Sequence, residues 1–465
     1  MTRAELVIVG AGPAGMAAAL EAAEAGIRPM VLDENLQPGG QIYRQLPPRF
    51  VVSDAQSQGK DALEGKALIR RFLEAPIEYR PGTLVWGVFG DKQLGIVDGK
   101  TVEYVQAECV IIAAGAYDRP MPIPGWTLPG VFSAGGAQLF IKSQRVLPGR
   151  RVLVAGTGPL LLVVATHFLA AGVESLTLCE LSCMRRLWRY TGKVWGHWGL
   201  LWDGWRYLSR IRRAGVRLMT GHVVTQIFGQ DQVEEAAIAP VDEEGRVRSD
   251  RKGLVAVDAV CLGYGLLPST ELTRLYGCRH NFSESQLAWV PACDSKMETS
   301  IPGVFVAGDC AGVAGVYTAR EEGRIAALAA AQQLGRLSAA ECQRRMDSIH
   351  ARLRRLRRFC AALDDIYPPA RRLVDLTTDE TIICRCEEVR AQAIWSAIAD
   401  GAGTPTEIKM WTGAGMGRCQ GRMCGPHLGL MLARGTGLLE PAQGHLSVRP
   451  PLKPIELGTL AQRII

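Results

Sequence analysis

Four cysteines in the C-terminal part of the chain have the spacing of a metal–thiolate centre. Cys384 and Cys386 are separated by one residue, and Cys419 and Cys424 are separated by four. Two such close pairs can supply four thiolates to one soft-metal centre. A glycine-rich run at residues 413–417 precedes the second pair, and it would let backbone N–H groups approach the ligated sulfur atoms. The pattern predicts a metal centre ligated by these four cysteines.

The N-terminal segment carries a dinucleotide-binding fingerprint. A predicted apolar strand runs into the motif G-A-G-P-A-G at residues 10–15, and an alanine-rich helix is expected to follow. The first glycine permits the tight turn, the second lets a pyrophosphate approach, and the third allows the helix to pack closely on the strand. The N-terminus of that helix places partial positive charge near the phosphates. The expected nucleotide-binding residues of this motif are Gly10, Gly12, Pro13, Ala14 and Gly15.

An acidic pair follows the next predicted strand, which covers residues 29–32. The pair is Asp33 and Glu34, and a carboxylate in this place can accept hydrogen bonds from ribose hydroxyls. We expect Asp33 to take that role, with Glu34 as the alternative. A strand, a helix and an acid in register make the motif far more specific than its glycines alone.

A second, incomplete fingerprint lies at residues 151–161. Gly156 and Gly158 match the motif, but Leu161 stands where the third glycine is usual. The strand that follows ends at Glu180, which could bind the ribose of NAD(P). Two interpretations stay open: a working nicotinamide site, or a fold without a ligand, since a bulky Leu161 opposes close helix packing. No C-x-x-C dithiol occurs in this middle region.

Three further segments resemble the thioredoxin-reductase-like class of flavoproteins with two dinucleotide domains. They read P-G-G-Q at residues 38–41, V-I-I-A-A-G at 110–115 and V-F-V-A-G-D at 304–309. In that class the corresponding segments flank FAD, and the Gly-Asp pair meets the ribityl chain and phosphate. The resemblance therefore implies FAD contacts for Gly40, Gln41, Ala114, Gly115, Gly308 and Asp309. Asp309 could equally cap the helix that follows, and both roles are compatible.

The metal at the four cysteines is either a [2Fe–2S] cluster or zinc. Structural zinc sites commonly use two C-x-x-C knuckles, and the C-x-C spacing fits these less well. Beside a nucleotide-binding redox fold we favour the [2Fe–2S] cluster. Arg385, Arg418 and Arg422 lie next to the cysteines in the sequence and would offset the negative charge of the thiolates.

Composition indicates a globular protein of about three domains. The chain has 465 residues, 48% of them hydrophobic, and a formal net charge of +7. No apolar run is long enough to span a bilayer and no signal peptide is evident, so we expect a cytoplasmic protein or one peripheral to the inner membrane face. Its thirteen cysteines are then ligands or free thiols rather than disulfides. Without a basic stripe interleaved with aromatic residues, we expect no nucleic-acid partner.

The chain as a whole resembles one family of flavoprotein subunits. These are the A or alpha subunits of opine oxidases and dye-linked proline or hydroxyproline dehydrogenases, and the B subunit of hydrogen cyanide synthase. The resemblance rests on the run P-G-W-T-L-P-G-V at residues 124–131, on I-K-S at 141–143 and on the four cysteines. The C-terminal part is similar to the [2Fe–2S] domain of bacterioferritin-associated ferredoxin.

This resemblance implies an oxidoreductase subunit that relays electrons. A D-amino-acid-oxidase-like flavoprotein partner would oxidise the amino acid, imino acid or opine. A respiratory-chain acceptor and a small ferredoxin-like subunit complete the expected partners. The first fold would hold FAD, although related complexes hold NAD or ATP there and place FMN at the subunit boundary. We expect no catalytic side chains, because the redox chemistry belongs to the cofactors. The alternatives are a stand-alone NAD(P)H-dependent flavin/[2Fe–2S] reductase and a scaffold with a structural cluster.

The expected architecture is α/β, with two Rossmann-like domains and a small C-terminal cluster domain. The predicted divisions are 1–130 with 276–345 for the first nucleotide domain, 131–275 for the second, 346–378 for a helical linker, 379–435 for the cluster domain and 436–465 for a tail.

A tryptophan-rich insert stands out in the second domain. Its tryptophans are Trp188, Trp195, Trp198, Trp202 and Trp205. Mixed with basic residues, they suit a protein interface, a cap on the chain's own core or a membrane surface. The arginine run at residues 352–358 is interpreted as the solvated face of a linker helix.

Overall fold

The structure, a computed structural model, describes residues 2–47, 49–50, 60–99, 101–183, 198–242, 245–439 and 443–461. In chain order, strands β1 to β21 are Thr2–Val9, Met30–Asp33, Glu78–Pro81, Leu84–Phe89, Gln93–Val97, Val102–Ile112, Ala116–Asp118, Val131–Ser133, Arg151–Gly156, Ser175–Glu180, Arg217–Thr220, His222–Phe228, Glu235–Pro240, Gly253–Ala256, Ala259–Gly263, Leu266–Pro268, His280–Ser283, Ala288–Pro291, Val304–Val306, Ile382–Cys384 and Val389–Arg390. Helices α1 to α12 are Pro13–Glu24, Lys60–Glu74, Ala134–Leu139, Leu160–Ala170, Trp198–Arg213, Glu271–Leu275, Gly315–Gln333, Ala339–Ile366, Ala391–Ala399, Pro405–Thr412, Gly425–Thr436 and Leu457–Ala461. A π-helix covers Phe140–Gln144, and 3₁₀ turns cover Ser249–Arg251, Gly308–Ala311 and Arg371–Leu376.

The first sheet carries the first nucleotide fingerprint at its carboxyl edge. Its strand order is β3-β2-β1-β6-β5-β4, and β19 adds parallel to β6. The second half of β1 and the whole of β2 and β19 are buried, as expected of parallel strands covered on both faces. Helices α1 and α7 approach closely on one face, since a Cβ on Gly323 would lie 2.1 Å from the carbonyl oxygen of Ala14.

The second sheet is wholly parallel, in the order β11-β10-β9-β15-β8. One face is covered by α3 and α4, and the antiparallel strands β12 to β14 pack against the other. The chain enters this unit by β7 and leaves it by β16, and the two strands pair antiparallel. Met121, Ile123 and Trp126 already belong to the second core, although the sequence division assigned them to the first domain. We therefore propose β7 and β16 as the crossing points.

A third core holds the cysteine region together. Helices α9, α10 and α11 and the β20–β21 hairpin surround Ile394, Ile408, Leu428 and Met431. Thr404 and Glu407 form a capping box at the start of α10, and Gly413 ends that helix in the left-handed conformation. These short, well-capped helices fix the loops that carry the cysteines.

The long helix α8 joins the cysteine region to the first unit. It begins after the N-cap Ser338 and carries the arginine run. Arg352 pairs with Glu321 at 2.6 Å, and Arg357 pairs with Glu322 at 3.0 Å. Both arginine side chains stay largely exposed, at 61% and 53%, so the solvated linker face stays a prediction, and the two ion pairs add a contact between this face and α7.

Two peripheral segments complete the described structure. In the tail, Leu452 donates its backbone N–H to the carbonyl of Trp86 at 2.8 Å, so the tail lies on the first unit. On α5, Trp202 and Trp205 stack with ring centroids 4.8 Å apart and are 58% and 54% exposed. The other three side chains of the insert, those of Trp188, Trp195 and Trp198, lie outside the described residues. In the described ranges no helix combines the length and apolarity needed to cross a membrane.

Candidate functional site

A cavity of about 2030 Å³ opens at the carboxyl edge of the first sheet and extends toward the second unit. Most of the residues that the sequence singled out in the first nucleotide site line this cavity: Gly10, Gly12, Pro13, Ala14, Asp33, Glu34, Gly40, Gln41, Ala114, Gly115, Gly308 and Asp309. The far wall comes from the π-helix, α4 and α5, and includes Lys142, His167 and Arg210. Distant segments thus meet at one site large enough for a dinucleotide.

Two glycines of the first fingerprint, Gly10 and Gly15, lie so close to the neighbouring backbone that a side chain at either position would clash with it. Gly10 has a φ of +104°, and a Cβ there would lie 2.4 Å from the carbonyl oxygen of Ala113. A Cβ on Gly15 would lie 1.8 Å from the carbonyl oxygen of Gly10, so this glycine serves helix packing and does not line the cavity. Gly12 is the N-cap of α1 and faces Gly40 across the cavity wall. The cradle fits a pyrophosphate beside the positive end of the helix.

The two acidic residues differ in what they contact. The buried carboxylate of Asp33 accepts hydrogen bonds from the backbone N–H groups of Ala11 and Asn35, each at 2.7 Å. Glu34 is exposed at the cavity rim and pairs with Lys453 from the tail. Asp33 thus holds the glycine turn in place, whereas Glu34 pairs with a long lysine side chain at the surface. Sequence reasoning missed Asn35 and Lys453, because neither belongs to a motif.

The Gly308–Asp309 turn is supported from α7 and α8. The N–H of Gly308 donates to Glu322 at 3.1 Å, and Glu322 pairs with Arg357. Burial raises the pKa of Glu322 to about 7, partly offset by the hydrogen bond and charge of Arg357. Asp309 accepts a hydrogen bond from the N–H of Ala314 at 3.2 Å, and burial raises its pKa. No sequence signal identified Glu322 and Arg357, since they lie far from the turn in the chain.

The second fingerprint forms a similar turn away from the large cavity. The carboxylate of Glu180 accepts hydrogen bonds from the N–H groups of Gly158 at 3.1 Å and Ser182 at 2.9 Å, and burial raises its pKa to about 7. Leu161 is buried against Gly263, whose missing side chain gives the leucine room. Close helix packing is therefore achieved without the third glycine. Gly156, Gly158 and Glu180 are not among the residues that line the large cavity.

The four cysteines are brought together as two thiol pairs. Cys384 and Cys424 are buried and hydrogen-bonded to each other, and Cys386 and Cys419 form the second, more exposed pair. The hydrogen bond from Cys424, aided by backbone N–H groups such as that of Gly415 at 3.4 Å, lowers the pKa of Cys384 to about 5. The same hydrogen bond raises the pKa of Cys424, and desolvation raises that of Cys386, so only Cys384 is shifted toward the thiolate form that binds metal.

Four cysteine thiols in two pairs are a donor set that a [2Fe–2S] cluster accepts. Within the described part of the chain, no three His, Cys, Asp or Glu side chains converge on one metal position. Two thiol pairs suit a centre with two metal positions, whereas structural zinc requires all four ligands around one ion. Gly417 also has to be a glycine, since its Cβ would lie 2.2 Å from the Cβ of Cys386.

The cysteine region is anchored to the second unit by Trp126. Its indole N–H donates to the carbonyl of Ile382 at 2.7 Å, just before the first cysteine pair. The guanidinium of Arg385, between Cys384 and Cys386, lies 5.8 Å from the centre of the Trp126 ring. The run at residues 124–131 therefore has a structural role at this junction.

Two family models match the chain and define its class. Residues 4–335 match the family described as pyridine nucleotide-disulphide oxidoreductase, and residues 382–434 match the BFD-like [2Fe-2S] binding domain. The first family implies FAD and the second a [2Fe–2S] cluster, so the protein is a flavin-dependent oxidoreductase with an iron–sulfur domain. This confirms the predicted fold class and the prediction of an oxidoreductase.

Two curated relatives show to which family of flavin-dependent oxidoreductases the chain belongs. The A subunit of opine oxidase from Rhizobium meliloti is 34% identical over 98% of this chain and 87% of its own length. The HcnB subunit of hydrogen cyanide synthase from Pseudomonas aeruginosa is 36% identical over 97% of this chain and 96% of its own length. The chain belongs to the family of these opine oxidase and HcnB subunits, which confirms the resemblance seen in the sequence.

Among solved structures, L-proline dehydrogenase from P. horikoshii shares the fold. The TM-score is 0.72 at 20% identity, and the match covers 99% of this chain and 79% of that one. Thioredoxin reductase from T. acidophilum matches 72% of this chain and 99% of its own, with a TM-score of 0.51 at 20% identity. The two-nucleotide-fold part is thus shared with thioredoxin reductase, and the likeness to the proline enzyme extends over the cysteine region.

Proposed function

We propose that this protein is the electron-transferring subunit of a heteromeric dehydrogenase or oxidase. Its partner, a D-amino-acid-oxidase-like flavoprotein, oxidises a C–N bond of an amino acid, imino acid or opine. The observation that carries this proposal is that the nucleotide cavity and the four-cysteine centre are adjacent. Arg422, which lies between Cys419 and Cys424 in the sequence, lines the large nucleotide cavity. A nucleotide cradle beside a four-cysteine centre suits electron transfer between two bound cofactors.

The chain's own residues would bind the nucleotide and the cluster, orient them and enclose them. The glycine turn of residues 10–15 would receive the pyrophosphate. Glu34, which is exposed at the cavity rim, would bind the ribose, while the buried Asp33 holds the turn. Asp309 would face the ribityl end, held by the Glu322–Arg357 pair beneath its turn. Cys384, Cys386, Cys419 and Cys424 would hold the [2Fe–2S] cluster. When bound, a flavin supplies two-electron and a cluster one-electron redox chemistry, and that chemistry belongs to the cofactors.

The finer assignments are also proposals. FAD is the nucleotide proposed for the first cradle, with NAD or ATP as the alternatives, and FMN is proposed at the boundary with the partner. An acceptor of the respiratory chain and a small ferredoxin-like subunit would complete the system. The resemblance to the family suggested these further cofactors and partners, and the cradle and the cysteine centre support the nucleotide and the cluster.

An anaerobic reduction experiment tests the proposal. The purified holoprotein is mixed with NADH, NADPH or dithionite, and then with its co-expressed partner and an opine or imino acid. We expect dithionite, or partner with substrate, to bleach the flavin and cluster bands, and nicotinamides to leave them unchanged. Failure of partner and substrate to reduce bands that dithionite does reduce would contradict the relay.

The second candidate function is a stand-alone NAD(P)H-dependent flavin/[2Fe–2S] reductase. One observation favours it: Glu180 holds the Gly156–Gly158 turn as Asp33 holds the first, and Leu161 is accommodated by Gly263. The second fold is therefore well formed. Rapid bleaching by NADH or NADPH alone would select this function over the relay.

A further inference from the structure

A second cavity adjoins the large nucleotide cavity. This second cavity, of about 110 Å³, is lined in part by Gln420 and Gly421, which lie between Cys419 and Cys424. Tyr117, Glu271 and Arg422 line both cavities. These three side chains therefore form the wall between the nucleotide cavity and a cavity that the second cysteine segment lines.

An ion pair holds this wall together. The Nε of Arg422 lies 2.9 Å from Oε1 of Glu271, and the two side chains are only 18% and 9% exposed. Arg422 also donates through Nη1 to the carbonyl of Cys419 at 3.2 Å and to that of Leu452 at 3.0 Å. One guanidinium thus ties the second cysteine segment to α6 and to the tail.

The lining of the second cavity carries an excess of positive charge. Arg274 lines this cavity beside Glu271, so two guanidinium groups, those of Arg274 and Arg422, face it together with one carboxylate. Charges in a protein interior act more strongly than charges in water, because solvent screens them less. Arg418, by contrast, is exposed to solvent, although it is adjacent to Cys419. The two arginines Arg418 and Arg422 therefore differ in burial while sharing the same neighbouring cysteine.

We propose that the Glu271–Arg422 pair positions the second cysteine segment against the nucleotide cavity and tunes the reduction potential of the centre that the four cysteines hold. Reduction of that centre adds one electron and one negative charge, which the buried guanidinium of Arg422 stabilises and the carboxylate of Glu271 opposes. This rests on the proposed function and deepens it, since it assigns the tuning to the buried pair and not to every arginine near the cysteines.

The test is an anaerobic redox titration of the isolated holoprotein, with mediators and detection of the reduced cluster by electron paramagnetic resonance. For Arg422→Gln we expect the ratio of reduced to oxidised cluster at a fixed potential to fall roughly tenfold, a shift of about 59 mV for one electron. For Glu271→Gln we expect a shift in the opposite direction. Arg422→Lys, which keeps the charge, should stay close to wild type, and so should Arg418→Gln.

Potential shifts of opposite sign in Arg422→Gln and Glu271→Gln distinguish a charge effect from simple damage to the fold. Equal shifts for Arg422→Gln and Arg418→Gln, or same-direction shifts for Arg422→Gln and Glu271→Gln, would overturn the proposal. Iron content and the visible spectrum show whether each variant binds its cluster. If Arg422→Gln does not bind one, the direction of the potential shift in Glu271→Gln decides whether the proposal holds.

The titration needs no partner protein, so it tests the proposal independently of the proposed function. If the electron-transfer function were wrong, wild-type protein would not be reduced by partner and substrate, whatever the titration shows.

Discussion

Asp33 and Glu180 occupy equivalent places in the two fingerprints, and each carboxylate accepts two backbone hydrogen bonds. Asp33 bonds to the N–H groups of Ala11 and Asn35, and Glu180 bonds to those of Gly158 and Ser182. A buried N–H group without an acceptor is costly, so the acid at the strand end is needed to hold the glycine turn. Its presence therefore indicates a well-formed turn and does not by itself show that a ligand binds there.

Substitutions at the acidic pair should separate these two roles. Asp33→Asn removes one acceptor oxygen from the buried turn, and we expect the apo-protein to lose about 1–3 kcal/mol of stability. Glu34→Gln changes an exposed side chain, and we expect unchanged thermal unfolding of the apo-protein with roughly tenfold weaker nucleotide binding. Thermal unfolding and a titration of the apo-protein with FAD measure the two effects. Normal FAD affinity in Glu34→Gln would refute the assignment of the ribose to Glu34.

Glu180 should make the second unit sensitive to pH. Because burial raises its pKa to about 7 in the folded protein, from 4.5 as the ordinary value, the folded state binds more protons than the unfolded state between these values. Its stabilising contribution is therefore complete below pH 4.5 and is lost as the pH rises through about 7, a change on the order of 3 kcal/mol. Glu180→Gln should flatten the decline of the unfolding temperature between pH 5 and pH 8. The exposed Glu235→Gln is the control, and a decline as steep in Glu180→Gln as in this control would contradict the assignment.

At the scale of elements, sequence patterns predicted the parts whose geometry is local. The glycine motif at residues 10–15 predicted a strand, a turn and a helix, and β1 and α1 flank that turn in the structure. The strand expected over residues 29–32 is β2, Met30–Asp33. Local steric rules suffice in such places, because glycine requirements and apolar periodicity act over a few residues.

Contacts between distant elements were not predictable in this way. Glu322 on α7 supports the Gly308 turn and is paired with Arg357 on α8, and no spacing in the sequence links these three residues. Likewise, Trp126 joins the second core to Ile382, and Glu271 on the short helix α6 meets Arg422. Each of these is a polar contact with at least one buried partner, created by packing of elements distant in the sequence, which single-sequence patterns do not encode. The cysteine spacing predicted a shared centre, but the pairing of Cys384 with Cys424 depends on the fold.

At the scale of the molecule, both sites lie between units. The nucleotide cavity is lined by the first sheet on one side and by α4 and α5 on the other, and the cysteine region rests on the first unit through Arg422 and on the second through Trp126. Relative movement of the units would therefore change both sites together.

The stacked pair Trp202 and Trp205 is the surface that we expect the partner protein to cover. Both indoles are more than half exposed, and Trp205 reaches the rim of the nucleotide cavity. Large exposed aromatic side chains beside arginines are typical anchors of protein interfaces, and truncating such an anchor commonly costs about 2 kcal/mol or more of binding free energy. We expect Trp202→Ser and Trp205→Ser each to weaken binding of the co-expressed flavoprotein partner at least roughly tenfold, measured by surface plasmon resonance.

The matched control is Leu254→Ser, which removes an exposed apolar side chain from β14, away from the cavity rim. The visible spectrum of isolated Trp202→Ser should be unchanged, because Trp202 is not among the residues that line the nucleotide cavity. Partner affinity equal to that of the control would exclude α5 from the interface. Loss of binding to anionic lipid vesicles, with partner affinity retained, would instead assign the tryptophan pair to a membrane surface.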